Sequence, residues 1–370
     1  MPPVHKISAI VENLLIWFTT NARALPWRRT RDPYAIWVSE IMLQQTQVKT
    51  VIPYWERWMR ELPTIADLAK VNPDKLHKLW EGLGYYTRVR NLQKAAQQIL
   101  ERHDGKFPTR HEQILDLSGI GPYTAGAICS IAFNQPTPIL DGNVIRVLAR
   151  VYAIRDNAKD KATNQRLWSL AREWVTAAAQ VPKHPQACSH LNQALMELGA
   201  LVCTPRQPQC LLCPLQKSCA AHRDGIAEEL PNLGKRVEIT ARRFFAFVIC
   251  HQGKLLVQQR PAGVVNAQLW EFPNVEVGLK SGDPAEVLAE MPFAAGETPS
   301  TLAPVPLKTI KHSITRYRIT MEGFLVPMST QPSLPPAGRW VTPAQLDSLA
   351  FASAHKKLAS AARQSILSDR

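Results

Sequence analysis

Four cysteines lie close together in the chain, with a spacing typical of a metal centre. They follow the pattern C-x6-C-x2-C-x5-C at Cys203, Cys210, Cys213 and Cys219. So short a segment cannot hold two well-separated disulfides and still pack a core, whereas closely spaced thiolates can converge on a metal centre. Since no histidine lies within the run, the spacing leaves two candidates, a structural zinc ion and an iron–sulfur cluster. The plain alternative is a set of reduced cysteines that bind nothing.

Two carboxylates could divide acid and anion chemistry between them. Glu40 lies among apolar neighbours in WVSEIMLQQTQV, and Asp141 lies just before a predicted helix in ILDGNVIRVLAR. Cleavage of a glycosidic bond needs an acid at the leaving group and an anion near the electron-poor sugar carbon. Two carboxylates in different environments can take those two parts. The plain alternatives are a solvated helix-face carboxylate for Glu40 and a helix N-cap for Asp141.

The segment LSGIGPYTAG at residues 117–126 predicts a tight turn between two helices. Gly119 and Gly121 would let the backbone turn sharply, and a second helix that starts near Pro122 would direct its N–H groups and its dipole toward an anion. Such a hairpin can hold a phosphate without recognising sequence. The plain alternative is an ordinary helix–helix turn.

Composition limits the partners and the compartment of the chain. Its 370 residues carry 44 Lys and Arg against 30 Asp and Glu, a formal net charge of +14, and 28 of the basic side chains lie in residues 1–225. This surplus favours nucleic acid as the partner over the plain alternative of a soluble basic protein. Seven cysteines, an odd number, are typical of a reducing compartment, so we expect a cytoplasmic protein. Without a secretory signal or an apolar run of about 18 residues, no membrane contact is expected.

Apolar periodicity predicts a mainly helical N-terminal region. Apolar residues recur every three or four positions in the segments 7–18, 34–60, 74–100, 111–118, 124–132, 143–153, 164–180 and 190–202. Pro53 predicts a kink or a split in the second segment. We expect residues 1–225, including the cysteine loop at 203–219, to form one domain, and the polar residues 226–240 to form a linker.

Residues 241–370 predict a second domain of the α+β class. Apolar runs on either side of His251–Gly253 predict a β-hairpin, and the further strand candidates are 314–320 and 322–326. Residues 342–367 predict a closing helical region with Thr342 as its N-cap.

These segments together resemble the helix–hairpin–helix DNA glycosylase superfamily, and within it the adenine DNA glycosylase (MutY) family. The resemblance spans nearly the whole chain and rests on the cysteine spacing and on the motifs WVSEIMLQQTQV, EGLGYYTRVRNLQKAA, LSGIGPYTAG, ILDGNVIRVLAR and NQALMELGALVC. It implies a helix–hairpin–helix glycosylase fold, and it implies that the four cysteines hold a [4Fe–4S] cluster. The implied partner is double-stranded DNA that contains adenine opposite 8-oxoguanine or guanine, bound by a monomer.

The resemblance also implies roles for individual residues. Glu40 matches the general acid that protonates adenine, and Asp141 matches the carboxylate that stabilises the oxocarbenium-like sugar, with a covalent intermediate as a variant of that role. Tyr123 matches a position that holds the active-site geometry in some members, and Asn143 would contact the reacting nucleotide or Asp141. The related endonuclease III branch has a lysine at the Tyr123 position. Because a phenol cannot form a Schiff base, we expect a monofunctional glycosylase.

Extrusion of a base requires side chains that fill the gap and hold the DNA. By resemblance, Gln45 and Tyr85 match the family's wedging residues, with Gln44, Thr46 and Leu83 beside them. The candidate phosphate contacts are Arg23, Arg28, Arg29, Arg31, Arg88 and Arg90. The plain alternatives are a core tyrosine for Tyr85 and a solvated basic face for the arginines.

The segments LLVQQR and LWEFPNVEV resemble the family's Nudix-like C-terminal domain. A working Nudix site needs a dense acidic helix to hold magnesium, which GLKSGDPAEVLAEM lacks, so we expect a lesion-recognition domain and not a hydrolase. Where the family carries Phe-Ser-His, this chain has Ile314, Thr315 and Arg316. Thr315 keeps a hydroxyl, whereas Arg316 replaces an imidazole with a permanent cation. The plain alternative is an ordinary strand pair with a basic outer face.

Three other functions fit parts of the sequence. A bifunctional glycosylase and lyase is opposed by Tyr123 and by the long second domain, and a Nudix phosphohydrolase is opposed by the missing acidic helix. A non-catalytic iron–sulfur protein that binds DNA or senses redox state would release no adenine. An excision assay therefore separates such a non-catalytic protein from an adenine DNA glycosylase.

Overall fold

The computed structural model of the chain describes residues 4–235, 238–280, 282–291 and 303–368. The fold divides into a first unit, Met1–Lys70 with Asn91–Arg236, and a second unit, Val71–Arg90 with Val237–Arg370. Residues 71–90 thus group with the C-terminal part of the chain.

Helices dominate the first part of the chain, as the apolar periodicity predicts. In chain order they are α1 (Val4–Asn21), α2 (Pro33–Leu43), α3 (Val48–Glu61), α4 (Ile65–Lys70), α5 (Pro73–Trp80), α6 (Thr87–Arg102), α7 (His111–Leu115), α8 (Pro122–Phe133), α9 (Gly142–Val151), α10 (Lys161–Ala178), α11 (Ala187–Leu201) and α12 (Ala220–Arg223). Helix α5 and the first residues of α6 belong to the second unit.

The core of the first unit forms around α11. This helix packs against α1, α8, α9 and α10, and the buried residues of this cluster include Leu14, Val147, Trp174 and Leu191. Helix α2 packs against α3 and α8. These packings bring α2, the first turn of α8, the first turn of α9 and α11 to one cavity.

Of the kink or split predicted at Pro53 in the segment 34–60, the split is wrong. Pro53 lies inside α3, and the chain breaks earlier, between α2 and α3. Gln45 at this break adopts a left-handed conformation with φ of 55°, which an α-helix cannot contain. Pro53 is the sixth residue of α3, beyond its first turn, and α3 continues past it to Glu61.

A mixed sheet forms the centre of the second unit. Its strands are β1 (Thr240–His251), β2 (Lys254–Gln259), β3 (Trp270–Glu271), β4 (Asn274–Val277), β5 (Val305–Ile314), β6 (Tyr317–Pro327) and β7 (Gly338–Val341). The order is β3-β2-β1-β6-β5, with β4 paired to β1 and β7 paired to β2. Strands β1 and β6 are parallel, with Phe247 opposite Phe324.

The predicted hairpin at His251–Gly253 is confirmed, since β1 and β2 are antiparallel with His251 opposite Lys254. The predicted strand 314–320 is wrong as a single strand. Ile314 pairs with Tyr317, so Thr315 and Arg316 form a two-residue turn between β5 and β6. A β-branched residue in a strand is ordinary, but Thr315 has a φ of 50°, which excludes an extended conformation.

Helices cover both faces of this sheet. Helix α13 (Pro284–Ala289) contributes Leu288 to the apolar cluster on one face, and helix α14 (Ser353–Ser368) contributes Leu358 to the cluster on the other. Thr342 accepts a hydrogen bond from the Gln345 amide at 3.3 Å. The N-cap of the short 3-10 helix Gln345–Ser348 is Ala344, and α14 begins only at Ser353, so the prediction of Thr342 as the N-cap of the closing helix is wrong. Among the described residues, no helix combines the length and the apolar character that a membrane span needs.

Candidate active site

Glu40 is a buried acid with one well-defined partner. It lies on α2, every residue of which from Tyr34 to Met42 is buried, and it is itself 4% exposed. Tyr123, on the first turn of α8, donates a hydrogen bond from its hydroxyl to Glu40 Oε2 at 2.7 Å. Burial raises the pKa of Glu40 from 4.5 to about 7, against the opposing effect of the Tyr123 hydrogen bond. A carboxyl group with this pKa holds a proton near neutral pH and can act as a general acid.

Asp141 is the N-cap of α9. Its Oδ1 accepts hydrogen bonds from the amides of Asn143 and Val144 at 3.0 and 2.8 Å, and its Oδ2 accepts one from Asn143 Nδ2 at 2.8 Å. The capping role is therefore real, and it also fixes the carboxylate in place. Burial raises the pKa of Asp141, while the hydrogen bonds from Val144 and Asn143 lower it and favour the anion.

Both carboxylates line one cavity of about 520 Å³ in the first unit. Glu40 enters it from α2 and Asp141 from the start of α9, with Tyr123 and Asn143 beside them. The cavity is lined in part by apolar side chains that include Trp27. The structure thus brings together all four residues that the sequence analysis assigned to the acid-base site, in two different electrostatic environments.

The polar wall of this cavity contains a residue that the sequence analysis missed. Glu197 on α11 has a side chain that is only 1% exposed. It accepts hydrogen bonds from Arg23 Nε at 2.7 Å and from Arg28 Nη2 at 2.9 Å, and the Arg28 Nε donates to Gln193 Oε1 at 3.1 Å. These contacts hold the pKa of Glu197 down at about 2 despite its burial. A lone carboxylate inside the apolar segment ALMELGAL was the available signal.

A chain of hydrogen bonds connects the cap of α9 to the cysteine loop. Arg146 donates from Nη2 to Asn143 Oδ1 at 2.8 Å and to the Gly199 carbonyl at 2.7 Å, and from Nε to the Cys203 carbonyl at 2.6 Å. A Cβ at Gly199 would lie 2.6 Å from the Asn143 Cβ, so only glycine allows α11 to pass this closely. Asn143 is therefore held from both sides and contacts Asp141 directly.

The turn between α2 and α3 lies at the mouth of the same cavity. Gln44, Gln45 and Thr46 line it. Gln45 is exposed in a left-handed conformation, and Thr46 Oγ1 donates to the Gln44 carbonyl at 3.3 Å. The predicted wedge residue Gln45 and its predicted neighbours Gln44 and Thr46 thus line the same cavity as the two carboxylates.

The predicted helix–hairpin–helix turn is present between α7 and α8, and α8 begins at Pro122. Gly119 has a φ of +74°, and a Cβ there would meet the Asn91 side chain at 2.6 Å, so this position requires glycine. Gly121 is the N-cap of α8 in an extended conformation with φ of −98°, which any residue adopts. The expectation that both glycines make the turn is therefore correct for Gly119 and wrong for Gly121.

Leu83 and Tyr85 lie in the turn between α5 and α6, in the second unit. Leu83 is 5% exposed and Tyr85 is 46% exposed, with a φ of 47° at Tyr85. Tyr85 is therefore not a core tyrosine, which was the plain alternative to a wedge role. Arg88 donates to the carbonyls of Leu83 and Gly84 at 2.9 and 3.0 Å and stacks over Trp80, so its guanidinium braces the turn.

The candidate phosphate contacts fall into two groups. The four with internal hydrogen-bond partners are Arg23, Arg28, Arg88 and Arg90. Arg29 and Arg31 are exposed. Exposed guanidinium groups can reach a phosphate at lower cost, because no buried partner is left behind.

The predicted lesion-recognition residues occupy the tip of the β5–β6 hairpin. Thr315 and Arg316 are exposed, and the Thr315 hydroxyl donates to the Ile314 carbonyl at 2.7 Å. The Arg316 guanidinium lies 5.1 Å from the centroid of the Tyr317 ring, and that of Arg242 lies at the same distance. The exposed Arg316 guanidinium gives this tip a positive charge that suits a planar, electron-rich partner.

All four cysteines of the run line one small cavity with Arg150. Arg150 Nη1 lies 3.3 Å from Cys203 Sγ and 2.7 Å from the Thr204 carbonyl, and Cys219 Sγ lies 3.4 Å from the Arg150 carbonyl. Across the residues that the structure describes, no three cysteine, histidine or carboxylate side chains stand close enough together to hold a single metal ion.

Comparison with known proteins agrees with this architecture. The family described as HhH-GPD superfamily base excision DNA repair protein matches residues 38–173, and the NUDIX domain family matches residues 245–361. The predicted fold class, a helical glycosylase region followed by an α+β Nudix-like domain, is confirmed.

Individual proteins extend the match over nearly the whole chain. The adenine DNA glycosylase of Homo sapiens is 34% identical over 418 aligned residues, which cover 96% of this chain and 74% of the human protein. A thermostable thymine-DNA glycosylase superposes with a TM-score of 0.53 at 28% identity, over 60% of this chain and 98% of that chain. An endonuclease III in a non-covalent DNA complex shows the same fold, with a TM-score of 0.50 at 22% identity over 61% of this chain and 99% of that chain. The chain therefore belongs to the adenine DNA glycosylase family, within the HhH-GPD superfamily of base excision DNA repair proteins.

Proposed function

We propose that this protein removes adenine from double-stranded DNA by hydrolysing its N-glycosidic bond, with adenine opposite 8-oxoguanine or guanine as the substrate. One observation carries the proposal. Glu40 and Asp141 line a single cavity, where burial raises the pKa of both carboxyl groups, that of Glu40 to about 7, whereas the hydrogen bonds from Asn143 and Val144 offset part of the rise at Asp141 and favour its anion. Glycosidic cleavage requires such a pair.

The chemistry follows from the protonation states. Protonated Glu40 gives its proton to a ring nitrogen of adenine, and the bond between adenine and the sugar breaks with its electrons going to the base. The oxocarbenium-like sugar that remains is stabilised by the Asp141 anion. Water then adds to the sugar carbon and returns a proton to Glu40. The products are free adenine and an abasic site, with no strand cleavage because Tyr123 supplies no amine.

The polar wall supplies recognition of the base. The Gln193 amide oxygen accepts from an exocyclic amine and the Arg28 guanidinium donates to ring nitrogens, while both Glu197 oxygens are occupied by Arg23 and Arg28 and hold these arginines in place. Arg23 and Arg28 hold Glu197 ionised at 2.7–2.9 Å, so these two arginines serve the base pocket in this proposal and not the phosphates.

The remaining predicted contacts position the DNA. Gln45 and Tyr85 occupy the space of the extruded nucleotide, supported by Gln44, Thr46 and Leu83, and the α7–α8 hairpin with Gly119 and Gly121 binds a backbone phosphate. Basic side chains from the surplus of +14 hold the flanking duplex. The protein acts as a monomer in this proposal.

We further propose that the four cysteines hold a [4Fe–4S] cluster. The donor set is all sulfur, and the Arg150 guanidinium at Cys203 Sγ suits a negatively charged thiolate site. Such a cluster would supply a rigid, charged support for the loop 203–219, without entering the reaction. Iron and sulfide analysis of the purified protein tests its presence.

The second domain is proposed to recognise the lesion. Thr315 and Arg316 are placed at an exposed hairpin tip, where a hydroxyl and a guanidinium can meet the oxidised base. Helix α13, in the segment where Nudix hydrolases carry their acidic helix, has six residues and a single acidic residue in its first turn, Glu286. This supports recognition over phosphohydrolysis.

A single-turnover excision assay tests the proposal. Duplexes with adenine opposite 8-oxoguanine, guanine or thymine are incubated with wild type, with Glu40→Gln, and with Glu12→Gln as a control that changes an exposed helical carboxylate. We expect adenine release by wild type and by the control, with the fastest rate opposite 8-oxoguanine, and none by Glu40→Gln. If iron-loaded, folded wild type leaves adenine in all three duplexes, the proposal is wrong; borohydride trapping on DNA would overturn its monofunctional part.

A further inference from the structure

The turn that carries Leu83 and Tyr85 is anchored to the C-terminal part of the chain by a buried ion cluster. Glu81 ends α5, immediately before the turn, and is 6% exposed. Its Oε1 accepts a hydrogen bond from the Phe351 amide at 3.1 Å. Its Oε2 accepts from Lys356 Nζ at 2.5 Å and from Lys78 Nζ at 2.9 Å. Lys78 Nζ also donates to the Leu349 carbonyl at 3.0 Å.

This cluster, which we call the Glu81 clamp, lies within the second unit. Burial alone would raise the pKa of Glu81, but the hydrogen bonds from Lys356, Lys78 and the Phe351 amide outweigh it, so the pKa is lowered and Glu81 stays ionised. Because an ionised buried carboxylate needs such partners, the clamp fixes the position of Glu81 relative to the segment 349–356.

A second anchor lies on the far side of the turn. Arg90 Nη1 donates to the Ala267 carbonyl, in the loop between β2 and β3, at 2.9 Å. The segment 81–90 is thus attached to the C-terminal part of the chain at both of its ends.

The turn between the two anchors is strained. Tyr85 has a φ of 47°, a conformation that costs free energy in a non-glycine residue and persists only where the surroundings determine it. Local bracing comes from Trp80, whose Nε1 donates to the Gly84 carbonyl at 3.0 Å, and from Arg88. These contacts determine the conformation of the turn, whereas the Glu81 clamp determines its position relative to the segment 349–356.

We propose that Glu81 is a positioning residue. Together with Lys78 and Lys356, it fixes the position of the turn at residues 82–85 relative to the segment 349–356. Through it, the C-terminal part of the chain controls how far Tyr85 enters the duplex. This inference rests on the proposed function, because it assigns Tyr85 a wedge role in base extrusion.

The test separates extrusion from bond cleavage. Variants Glu81→Gln and Lys356→Met remove one charge each from the clamp, Lys356→Arg keeps the charge, and Lys357→Met changes the exposed neighbour on the same helix. Extrusion is followed by the fluorescence of 2-aminopurine placed opposite 8-oxoguanine. Cleavage is followed by single-turnover release of adenine from two duplexes, one with 8-oxoguanine opposite the adenine and one with a single-nucleotide gap there, where no pairing has to be broken.

We expect Glu81→Gln to lower the fluorescence amplitude and the excision rate opposite 8-oxoguanine by about tenfold, as loss of a charge-assisted hydrogen bond predicts. Lys356→Met should lower both by about threefold, since the Lys356 side chain is about half exposed. Excision from the gapped duplex, and all values for Lys356→Arg and Lys357→Met, should stay within a factor of two of wild type.

The outcomes distinguish the two proposals. Variants that melt at lower temperature but extrude and excise like wild type overturn the positioning role of Glu81, as does an equal loss of activity on both duplexes. A wild-type protein that releases no adenine from either duplex overturns the proposed function, and the clamp proposal with it.

Discussion

Removal of the Tyr123 hydroxyl should extend adenine excision to higher pH. The hydroxyl donates to Glu40 Oε2 at 2.7 Å, which stabilises the ionised carboxylate and opposes the effect of burial on its pKa of about 7. In Tyr123→Phe the ionised form loses this bond, so the pKa of Glu40 rises further. Because the general acid must be protonated, the pH at which the excision rate falls on the alkaline side should rise together with the pKa of Glu40.

The size of the effect follows from the bond that is lost. A buried hydrogen bond to a charged acceptor contributes about 1.5–3 kcal/mol, and one pH unit corresponds to about 1.4 kcal/mol. The midpoint of the alkaline limb should therefore move from about 7 in wild type upward by about one to two pH units. The plateau at lower pH should fall at the same time, because Glu40 loses the contact that orients it.

The assay is single-turnover adenine release between pH 5 and about pH 10, a range that covers the expected alkaline midpoints of wild type and variant, at constant ionic strength. Tyr152→Phe is the matched control, since its hydroxyl meets Trp174 Nε1 at 2.8 Å in the same unit. An alkaline midpoint in Tyr123→Phe that equals that of wild type, or lies below it, would refute this account of how Glu40 stays protonated.

Three further predictions follow from the same contacts. Asp141→Asn should abolish excision at every pH while melting within a few degrees of wild type, because asparagine caps a helix about as well as aspartate; activity assays and calorimetry check the separation. Glu197→Gln should lower the free energy of unfolding by about 3 kcal/mol. Its depressed pKa of about 2 means that wild type, but not the variant, should lose this stability as pH falls from about 4.5 toward 2, measurable by denaturant titration. Replacing Thr315 and Arg316 by alanine should reduce the preference for 8-oxoguanine over guanine and spare excision opposite guanine; unchanged discrimination would remove this turn from the lesion site.

Residues with a local signature could be placed from the sequence. The N-cap was the plain alternative for Asp141, and it could be read locally because capping depends only on the two or three residues that follow. The α7–α8 turn was predicted from Gly119 and Gly121, and it is correct at Gly119 because a backbone conformation is a local property. The four cysteines fall in the same class, since the short loops between them place all four around one small cavity. The hairpin at residues 251–253 also follows from local turn chemistry.

The sequence prediction was wrong where a turn interrupts a run of strand-forming residues. The sequence analysis predicted a strand through residues 314–320, because threonine, tyrosine and isoleucine favour extended structure. The pairing of β5 with β6 placed the turn at Thr315 and Arg316 instead. Register between strands is set by the side chains on both of them, which a single segment does not contain.

The amino-acid sequence by itself determined the helical and strand-rich halves, the capped aspartate and the clustered thiols, since each depends on neighbours in the chain. Only the tertiary structure decided which groups are acids and which are anions. Glu40 meets Tyr123 across 83 residues, and Glu197 meets Arg23 across 174. The first is desolvated beside a neutral phenol and the second is buried against two cations, so similar helical glutamates acquire a pKa of about 7 and of about 2. Protonation depends on the solvent and charges that the packed helices leave around a side chain, and those helices come from distant parts of the chain.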